Sequence, residues 1–291
     1  MATPSSSLLG LSVWKTIEQR LLTREGLILR TSEIRDALPQ LSTVRSCAMI
    51  GCGTGHNDLA FVRECCPNLT ELTAVDPDAD QMAEFMQDQR VPADSNCERR
   101  LLPGDGSKLD RFFSGKQFDA VLLFHCLYCR CVLPSEHPVL FKKLFDHVVV
   151  SGGLVLILLH PSDLQNPKGI DRLKRNLDID GVQIRDMITS VGFRDCYQLE
   201  IECQLDLQEP NDDLMSTIVF INEGKLSLEE ARRSVKEVFG SMKIVPHQDW
   251  FGAFRRPWFA DTLQRPDSIP CCAWRLYFSQ LFTGYVYCVG L

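Results

Sequence analysis

This chain contains no apolar run of the roughly 20 residues that a membrane-spanning helix requires. Its first residues, Met1 to Ser7, have neither the basic start nor the apolar core of a secretory signal peptide. Internal repeats and low-complexity segments are also missing from the sequence. These features predict a globular protein that stays in the cytoplasm and does not bind a membrane.

A surplus of basic residues is missing as well. The 291 residues include 31 Lys and Arg against 38 Asp and Glu, which gives a formal net charge of −7. Proteins that bind the nucleic-acid backbone usually have a basic face, so we expect no nucleic-acid partner. The charge suits a small or cationic substrate, and we expect the protein to be a monomer.

The 13 cysteines lack a regular spacing. Their odd number, without an export signal, is typical of reduced thiols in the cytosol. Cys126 and Cys129 are spaced like half of a zinc site, but no second C-x-x-C or H-x-x-x-H pair follows. We therefore expect no metal site.

What the sequence does contain is a glycine-rich loop between a predicted strand, Ser46–Ile50, and a predicted helix. Gly51, Gly53 and Gly55 occupy alternate positions in this loop. Because glycine has no Cβ, a ligand can lie against the main chain, and the next helix points N–H groups at it. The G-x-G-x-G spacing differs from the G-x-G-x-x-G fingerprint of dinucleotide sites, which disfavours a nicotinamide oxidoreductase.

An acidic residue follows the next predicted strand, Glu71–Val75. Asp76 lies 76 − 51 = 25 residues after Gly51. An acid about 20 residues beyond a glycine loop, at the tip of the next strand, can accept hydrogen bonds from both hydroxyls of a ribose. The alternative is an ordinary turn in which Asp76 caps the following helix. Both elements occur in order within one β-α-β unit, which favours the nucleoside site.

Strands and helices alternate along the chain, which predicts an α/β fold with a mostly parallel sheet. The nearly continuous apolar segment Phe118–Phe124 is typical of a strand in a sheet with helices on both faces. Val139–Val149 is predicted to be helical, and Ser151–Gly153 is predicted to turn the chain before the strand Leu154–Leu159.

Three regions are predicted. Residues 1–205 form the main domain, including an N-terminal helical segment from Leu8 to Leu38. Residues 206–265 form an insertion on the substrate side, because one helix there is followed by a loop rich in aromatic residues; an aromatic patch of the core is the alternative reading. The aromatic residues are Trp250, Phe251, Phe254, Trp258 and Phe259. Residues 266–291 form an atypical tail, whose segment Phe282–Val289 is predicted to complete the sheet.

The glycine loop resembles motif I of the class I S-adenosylmethionine-dependent methyltransferases. From the first helix to about Phe239 the chain resembles the histamine N-methyltransferase family. The matching residues are Ile50–Gly55 with Asp58 and Leu59, Val75–Pro77 with Gln81, Gly106–Ser107, and Asp119–Tyr128. This resemblance implies a Rossmann-like, seven-stranded methyltransferase sheet with one antiparallel strand. It also implies S-adenosylmethionine as the cofactor and a small amine as the methyl acceptor.

The resemblance assigns roles to individual residues of the cofactor site. Gly51 would lie under the amino-acid end of the cofactor and Asp76 would bind its ribose. Ser107 would lie beside the adenine. The full set of predicted cofactor residues is Gly51, Gly53, Gly55, Asp76, Gln81, Ser107 and Phe124.

The predicted acceptor-side residues are Glu25, His125 and Tyr128. The resemblance implies that Glu25 binds a cationic tail, and the alternative is a solvated helix residue. His125, the predicted catalytic residue, can hydrogen-bond or deprotonate the acceptor near neutral pH, and the alternative is a structural histidine. The ring of Tyr128 can face the sulfonium, because aromatic faces attract cations. The paired tryptophans of the family have no counterpart between His160 and Lys174. An oxygen or sulfur acceptor, or a binding protein without turnover, therefore stays open as an alternative.

Overall fold

The computed structural model describes residues 23–76, 78–87, 98–103, 113, 115–127, 134–159, 181–206, 215, 227–239 and 244–258. The strands in this part of the chain are β1 (Ser46–Ile50), β2 (Glu71–Asp76), β3 (Glu98–Pro103), β4 (Phe118–Phe124), β5 (Val149–Leu159), β6 (Arg194–Asp206) and β7 (Ile244–Arg255). The α-helices are α1 (Thr23–Ala37), α2 (His56–Cys65), α3 (Ala79–Gln87), α4 (His137–Lys143), α5 (Gly181–Ser190) and α6 (Leu228–Phe239).

The strands form one seven-stranded sheet in the order β3-β2-β1-β4-β5-β7-β6. Strands β1 to β5 pair in parallel, whereas β7 runs antiparallel to both of its neighbours, β5 and β6. The predicted fold class, a Rossmann-like and mostly parallel α/β sheet, is confirmed.

The sheet is buried on both faces. Along β4, Leu122 and Phe124 pack into one apolar cluster with residues of α1 and α2. Val121 and Leu123, which alternate with them, pack into a second cluster with residues of α4 and α5. This two-sided burial explains why β4 is a continuous apolar segment and not an alternating one.

The first strands match their predicted positions closely. β1 and β4 span the predicted residues, and β2 extends one residue beyond its prediction, to Asp76. The prediction was wrong between α4 and β5. The α-helix ends at Lys143, a π-helical turn covers Leu144–Val148, and Ser151–Gly153 lies inside β5 instead of forming a turn.

The aromatic segment after α6 also differs from its prediction. Trp250, Phe251 and Phe254 lie on β7, between β5 and β6 in the sheet, and not in a loop over the substrate. Phe251 belongs to the first apolar cluster, and Trp250 and Phe254 belong to the second. The alternative reading, an aromatic core patch, is therefore the correct one for these three residues.

The sheet thus takes its antiparallel strand from residues 244–255. The segment Phe282–Val289, which was predicted to complete the sheet, and residues 8–22 of the predicted N-terminal helix lie outside the described part. The chain divides into two units, residues 1–256 and 257–291, and all the strands and helices above belong to the first. The boundaries at residues 205 and 265 remain predictions. None of the described helices is both long enough and apolar enough to cross a bilayer.

A carboxylate joins the amino ends of β1 and β4. One oxygen of Asp119 accepts hydrogen bonds from the main-chain N–H of Arg45 and of Ser46, both at 2.9 Å, and from the Ser46 hydroxyl at 3.1 Å. The adjacent register pairs Cys47 with Ala120 and Met49 with Leu122. This contact therefore holds the amino ends of β1 and β4 together in that register.

The position of β7 predicts a large stability loss for Phe251→Ala. The ring of Phe251 is fully buried and lies 5.8 Å from the ring of Phe61, centroid to centroid. Removing such a ring costs about 3–5 kcal/mol of the free energy of unfolding, because a cavity remains. Leu29→Ala, on the exposed side of α1, should change it by less than about 0.5 kcal/mol. Urea unfolding of both variants checks this; equal stabilities would contradict the placement of Phe251 in the core.

Candidate functional site

The carboxyl ends of β1, β2 and β4 meet at one edge of the sheet. Ile50 pairs with Val75 and Met49 pairs with Leu122, so Gly51, Asp76 and His125 all lie at the strand ends. In open parallel sheets ligands bind at this edge, outside the carboxyl ends of the strands. Three of the predicted site segments are therefore brought together.

The glycine loop has a backbone that only glycine adopts readily. Gly51, Gly53 and Gly55 have φ angles of 66°, 53° and 74°. Gly55 occupies the cap position of α2, and no side chain caps this described helix. The N-terminus of α2, with its partial positive charge, therefore lies at the end of the loop.

The glycines also allow close packing. A Cβ added to Gly51 would lie 2.5 Å from the Cβ of Cys126, and one added to Gly55 would lie 2.4 Å from the ring of Phe85. The close approach that the sequence predicts for a ligand is thus made, at these two positions, by protein side chains. At Gly53 the neighbour is the Gln81 amide oxygen, also at 2.5 Å from the added Cβ.

Asp76 connects the end of β2 with the glycine loop. One of its carboxylate oxygens accepts a hydrogen bond from the Gly53 N–H at 2.8 Å, and the other accepts one from the Asp78 N–H at 2.9 Å. The residue is 7% exposed. A carboxylate can accept about four hydrogen bonds. Asp76 can therefore accept further donors, such as the two hydroxyls of a ribose, while it keeps both main-chain bonds.

Burial raises the pKa of the Asp76 carboxyl above its ordinary value, and the hydrogen bonds from Asp78 and Gly53 partly offset this by favouring the charged form. A further hydrogen-bond donor would therefore stabilise the charged form of this buried carboxylate.

The alternative role of Asp76, as cap of the next helix, is wrong. Asp78 caps α3, because one of its oxygens accepts hydrogen bonds from the main-chain N–H of Asp80 at 3.0 Å and of Gln81 at 3.1 Å. A signal for this cap is present in the sequence. An acidic residue three positions before a glutamine, at the start of a helical pattern, is typical of a capping box and favours Asp78 over Asp76 as the cap.

Gln81 lies on the first turn of α3 and is 7% exposed. Its amide oxygen faces the α-carbon of Gly53, whose N–H binds Asp76. An amide group thus lies beside the carboxylate, at the position that the resemblance gave to a cofactor residue.

His125 follows β4 and is the only non-glycine residue with a positive φ, 53°, in the described part. Its N–H donates to the Leu158 carbonyl on β5 at 2.7 Å. A non-glycine residue in the left-handed region costs roughly 1–3 kcal/mol and often lies at a functional site. The half-buried His125 is held at the same edge as Gly51 and Asp76.

The other predicted residues differ in placement. The Phe124 ring is 3% exposed and packs edge-on against Phe61 at 5.4 Å, so it lies in the apolar cluster beneath the site. Glu25 lies in the first turn of α1, and its side chain is outside the described part. Ser107 and Tyr128 also lie outside it. Their roles remain predictions.

Cys126, which is not among the predicted site residues, packs against Gly51. It is 5% exposed, next to His125, and contacts the glycine loop from the neighbouring strand end. Cys52, also buried, lies in the glycine loop itself, and burial is the main cause that raises the pKa of its thiol well above the ordinary value. Such thiols pack as small apolar groups. Within the described residues, no group of three or more His, Cys, Asp or Glu side chains could hold a metal ion.

Comparison with known proteins finds similarity in the part of the chain that contains Gly51, Asp76 and His125. Residues 48–157 match the family model of a methyltransferase domain. A candidate methyltransferase from Bacillus halodurans C-125 superposes with a TM-score of 0.54 at 11% identity, over 78% of this chain and 99% of that one. The YcgJ protein of Bacillus subtilis gives 0.50 at 13% identity, over 77% and 99%. No curated protein matches the sequence.

The contact between Gly51 and Cys126 predicts that Gly51→Ala destabilises the protein more than Gly115→Ala. Gly115 also has a positive φ, 79°, but a Cβ there would meet no atom of the described residues within 4 Å. Gly115→Ala should therefore cost only the backbone strain, about 1–2 kcal/mol, and Gly51→Ala should cost that plus the clash. Thermal unfolding measures the difference, and Cys126→Gly should recover part of it in the double variant. Equal losses at both glycines would refute the packing of Gly51 on Cys126.

The cofactor that the family match implies can be tested against these residues. The Asp76 carboxylate can accept two more donors, the Gln81 amide lies beside it, and the N-terminus of α2 lies at the end of the glycine loop. The residues fit. Residues 48–157 of the α/β fold match a methyltransferase domain, and this match implies S-adenosylmethionine as the cofactor.

Proposed function

We propose that the protein is an S-adenosylmethionine-dependent methyltransferase that methylates the nitrogen of a small amine. The observation that carries this proposal is the Asp76 carboxylate beside the glycine loop, with His125 at the neighbouring strand end. These groups occupy the edge of the sheet where ligands of such folds bind. Residues 48–157, which match the methyltransferase domain, include all three elements.

The bound cofactor would supply an activated methyl group on a positively charged sulfur. The chain therefore needs no strong nucleophile of its own; its residues must orient the two reactants. Orientation of bound reactants can be worth roughly 7–11 kcal/mol of the barrier. In our proposal Asp76 and Gln81 hold the nucleoside, and the loop Gly51–Gly55 fixes how deeply it lies.

The proposed role of His125 is to bind the acceptor and to take up its proton. An amine must lose a proton before its lone pair can attack, and imidazole does this near neutral pH. The support is positional: the left-handed backbone of His125 places it at the edge next to Gly51. Glu25 as the anchor of a cationic tail and Tyr128 as the aromatic partner complete the proposed acceptor site.

Two experiments test the function. Calorimetry should detect binding of S-adenosylmethionine and of its demethylated product, with NAD as the control; heat with NAD alone would reverse the assignment. A panel of small amines, phenols and thiols, assayed with a labelled methyl group, then identifies the acceptor. Transfer to phenols or thiols alone would replace the amine by an oxygen or sulfur acceptor. Binding of the cofactor without transfer to any of them would indicate a binding protein without turnover.

Asp76→Ala should weaken cofactor binding much more than His125→Ala does. Hydrogen bonds to a charged group are each worth about 1.5–3 kcal/mol, which corresponds to roughly 10- to 150-fold in the dissociation constant. His125→Ala should instead lower the rate of transfer. Calorimetry gives the first effect and the labelled-methyl assay gives the second. An equal loss of cofactor affinity in both variants would exclude His125 from the acceptor side.

Cofactor affinity should also depend on pH through Asp76. Its charged form accepts the ribose hydroxyls, and burial raises its pKa above the ordinary value. Affinity should therefore be complete above this raised pKa and fall as the pH drops through it, starting at a higher pH than for an exposed aspartate. Asp76→Asn should remove this dependence, and Asp80→Asn, an exposed carboxylate on the same α3 helix, should retain it. A dependence that survives Asp76→Asn would assign it to another group.

A further inference from the structure

We infer that His137 is a positioning residue, which holds the turn after β4 in the shape that presents His125 to the acceptor. The inference rests on the proposed function for its consequence in catalysis. The structural part, that His137 restrains this turn, depends only on the geometry of α4 and the turn.

His137 is the first residue of α4 and is completely buried. Its ring nitrogen Nε2 lies 2.7 Å from the main-chain carbonyl oxygen of Leu127. A carbonyl oxygen only accepts hydrogen bonds, so Nε2 carries the proton and donates it. This bond holds the buried carbonyl in position, because water cannot replace the hydrogen bond if it breaks, and the loss would cost free energy.

Leu127 is the last described residue of the segment after β4, which is held at several points. His125 donates its N–H to the Leu158 carbonyl on β5 at 2.7 Å. Cys126 packs against the α-carbon of Gly51 in the cofactor loop. The Leu127 side chain, 1% exposed, lies in the second apolar cluster. His137 thus holds the third residue after β4, and the strained residue, His125, is the first.

The bond from His137 to Leu127 matters because the backbone of His125, two residues earlier, is strained. A left-handed non-glycine residue tends to relax unless its neighbours over-determine its conformation. The main-chain bond of His125 to Leu158 fixes one side of the turn, and the bond from His137 to Leu127 fixes the other. Tyr128, the second predicted acceptor residue, follows Leu127 directly in the sequence. The same bond therefore fixes the point from which the chain leaves toward Tyr128.

Three variants test this inference. His137→Leu keeps an apolar side chain of similar size and removes the donor. His137→Gln keeps an N–H donor near the position of Nε2. Phe141→Leu is the matched control, because Phe141 is also fully buried on α4, with its ring 6.1 Å from that of His137, and belongs to the second apolar cluster.

The first measurement is amide hydrogen exchange of the segment 124–127 in the protein without cofactor. His137→Leu should increase the exchange rate there by about tenfold, which corresponds to ~1.4 kcal/mol less resistance to local opening. His137→Gln should stay close to the wild-type rate, and so should Phe141→Leu. An unchanged rate in His137→Leu, or an equal increase in Phe141→Leu, would overturn the inference.

The second measurement separates positioning from folding. With the acceptor identified, kcat for methyl transfer should fall by about tenfold in His137→Leu and recover in His137→Gln, with little change in the dissociation constant of S-adenosylmethionine. Loss of cofactor affinity with unchanged kcat would contradict a role on the acceptor side. If the wild-type protein transfers no methyl group to any acceptor, the proposed function fails, whereas the exchange measurement still decides whether His137 holds the turn.

Discussion

The hydrogen bonds that hold the Asp76 carboxylate between two main-chain N–H groups are the constraint on which the site depends. The Gly53 N–H belongs to the loop after β1, and the Asp78 N–H belongs to the turn before α3, so one side chain sets the distance between two segments. Burial disfavours the charged form of Asp76 and raises its pKa, and the hydrogen bonds from these two donors offset part of that rise. The result is a carboxylate that is kept at the sheet edge and gains from two further hydroxyl donors. In the proposed cofactor site, a ribose diol would supply them.

The backbone conformations at this edge of the sheet cost free energy. The hydrogen bonds that help to hold the same strands in register lie at the opposite edge. The carboxyl ends of β1 and β4 carry the left-handed backbones of Gly51 and His125 and, next to them, a buried acid. The amino ends of the same strands are fixed by Asp119, which accepts three hydrogen bonds from Arg45 and Ser46. A slip of one residue would turn every side chain of β4 to the other face, against two apolar clusters. The register that Asp119 helps to fix therefore also aligns the site.

The parts of the fold that could be predicted from the sequence are those whose signal is local. β1, β2 and β4 are apolar segments that end in glycine or a polar residue, and their helices follow at once. β7 could not be predicted, because its partners are distant in sequence: Phe251 pairs with Leu158 and with Leu199. With aromatic rings on both of its faces, β7 lacks the alternation of a half-exposed strand. Only the assembled sheet shows that these rings are core residues.

The same distinction divides the site into two halves. The cofactor half lies within one β-α-β unit, where glycine spacing and a following acid are sufficient to predict both the strand ends and their ligand. The proposed acceptor half depends on contacts across the sheet and on a helix ten residues further along the chain, as in the bond from His137 to Leu127. No short motif encodes such a contact. A chain can therefore keep the cofactor half and change its acceptor by altering residues around the turn that begins at His125, because Asp76 and the glycine loop take their geometry from β1, β2 and α3. This separation explains why the fold and its cofactor could be predicted from the sequence, whereas the proposed acceptor site depends on tertiary contacts.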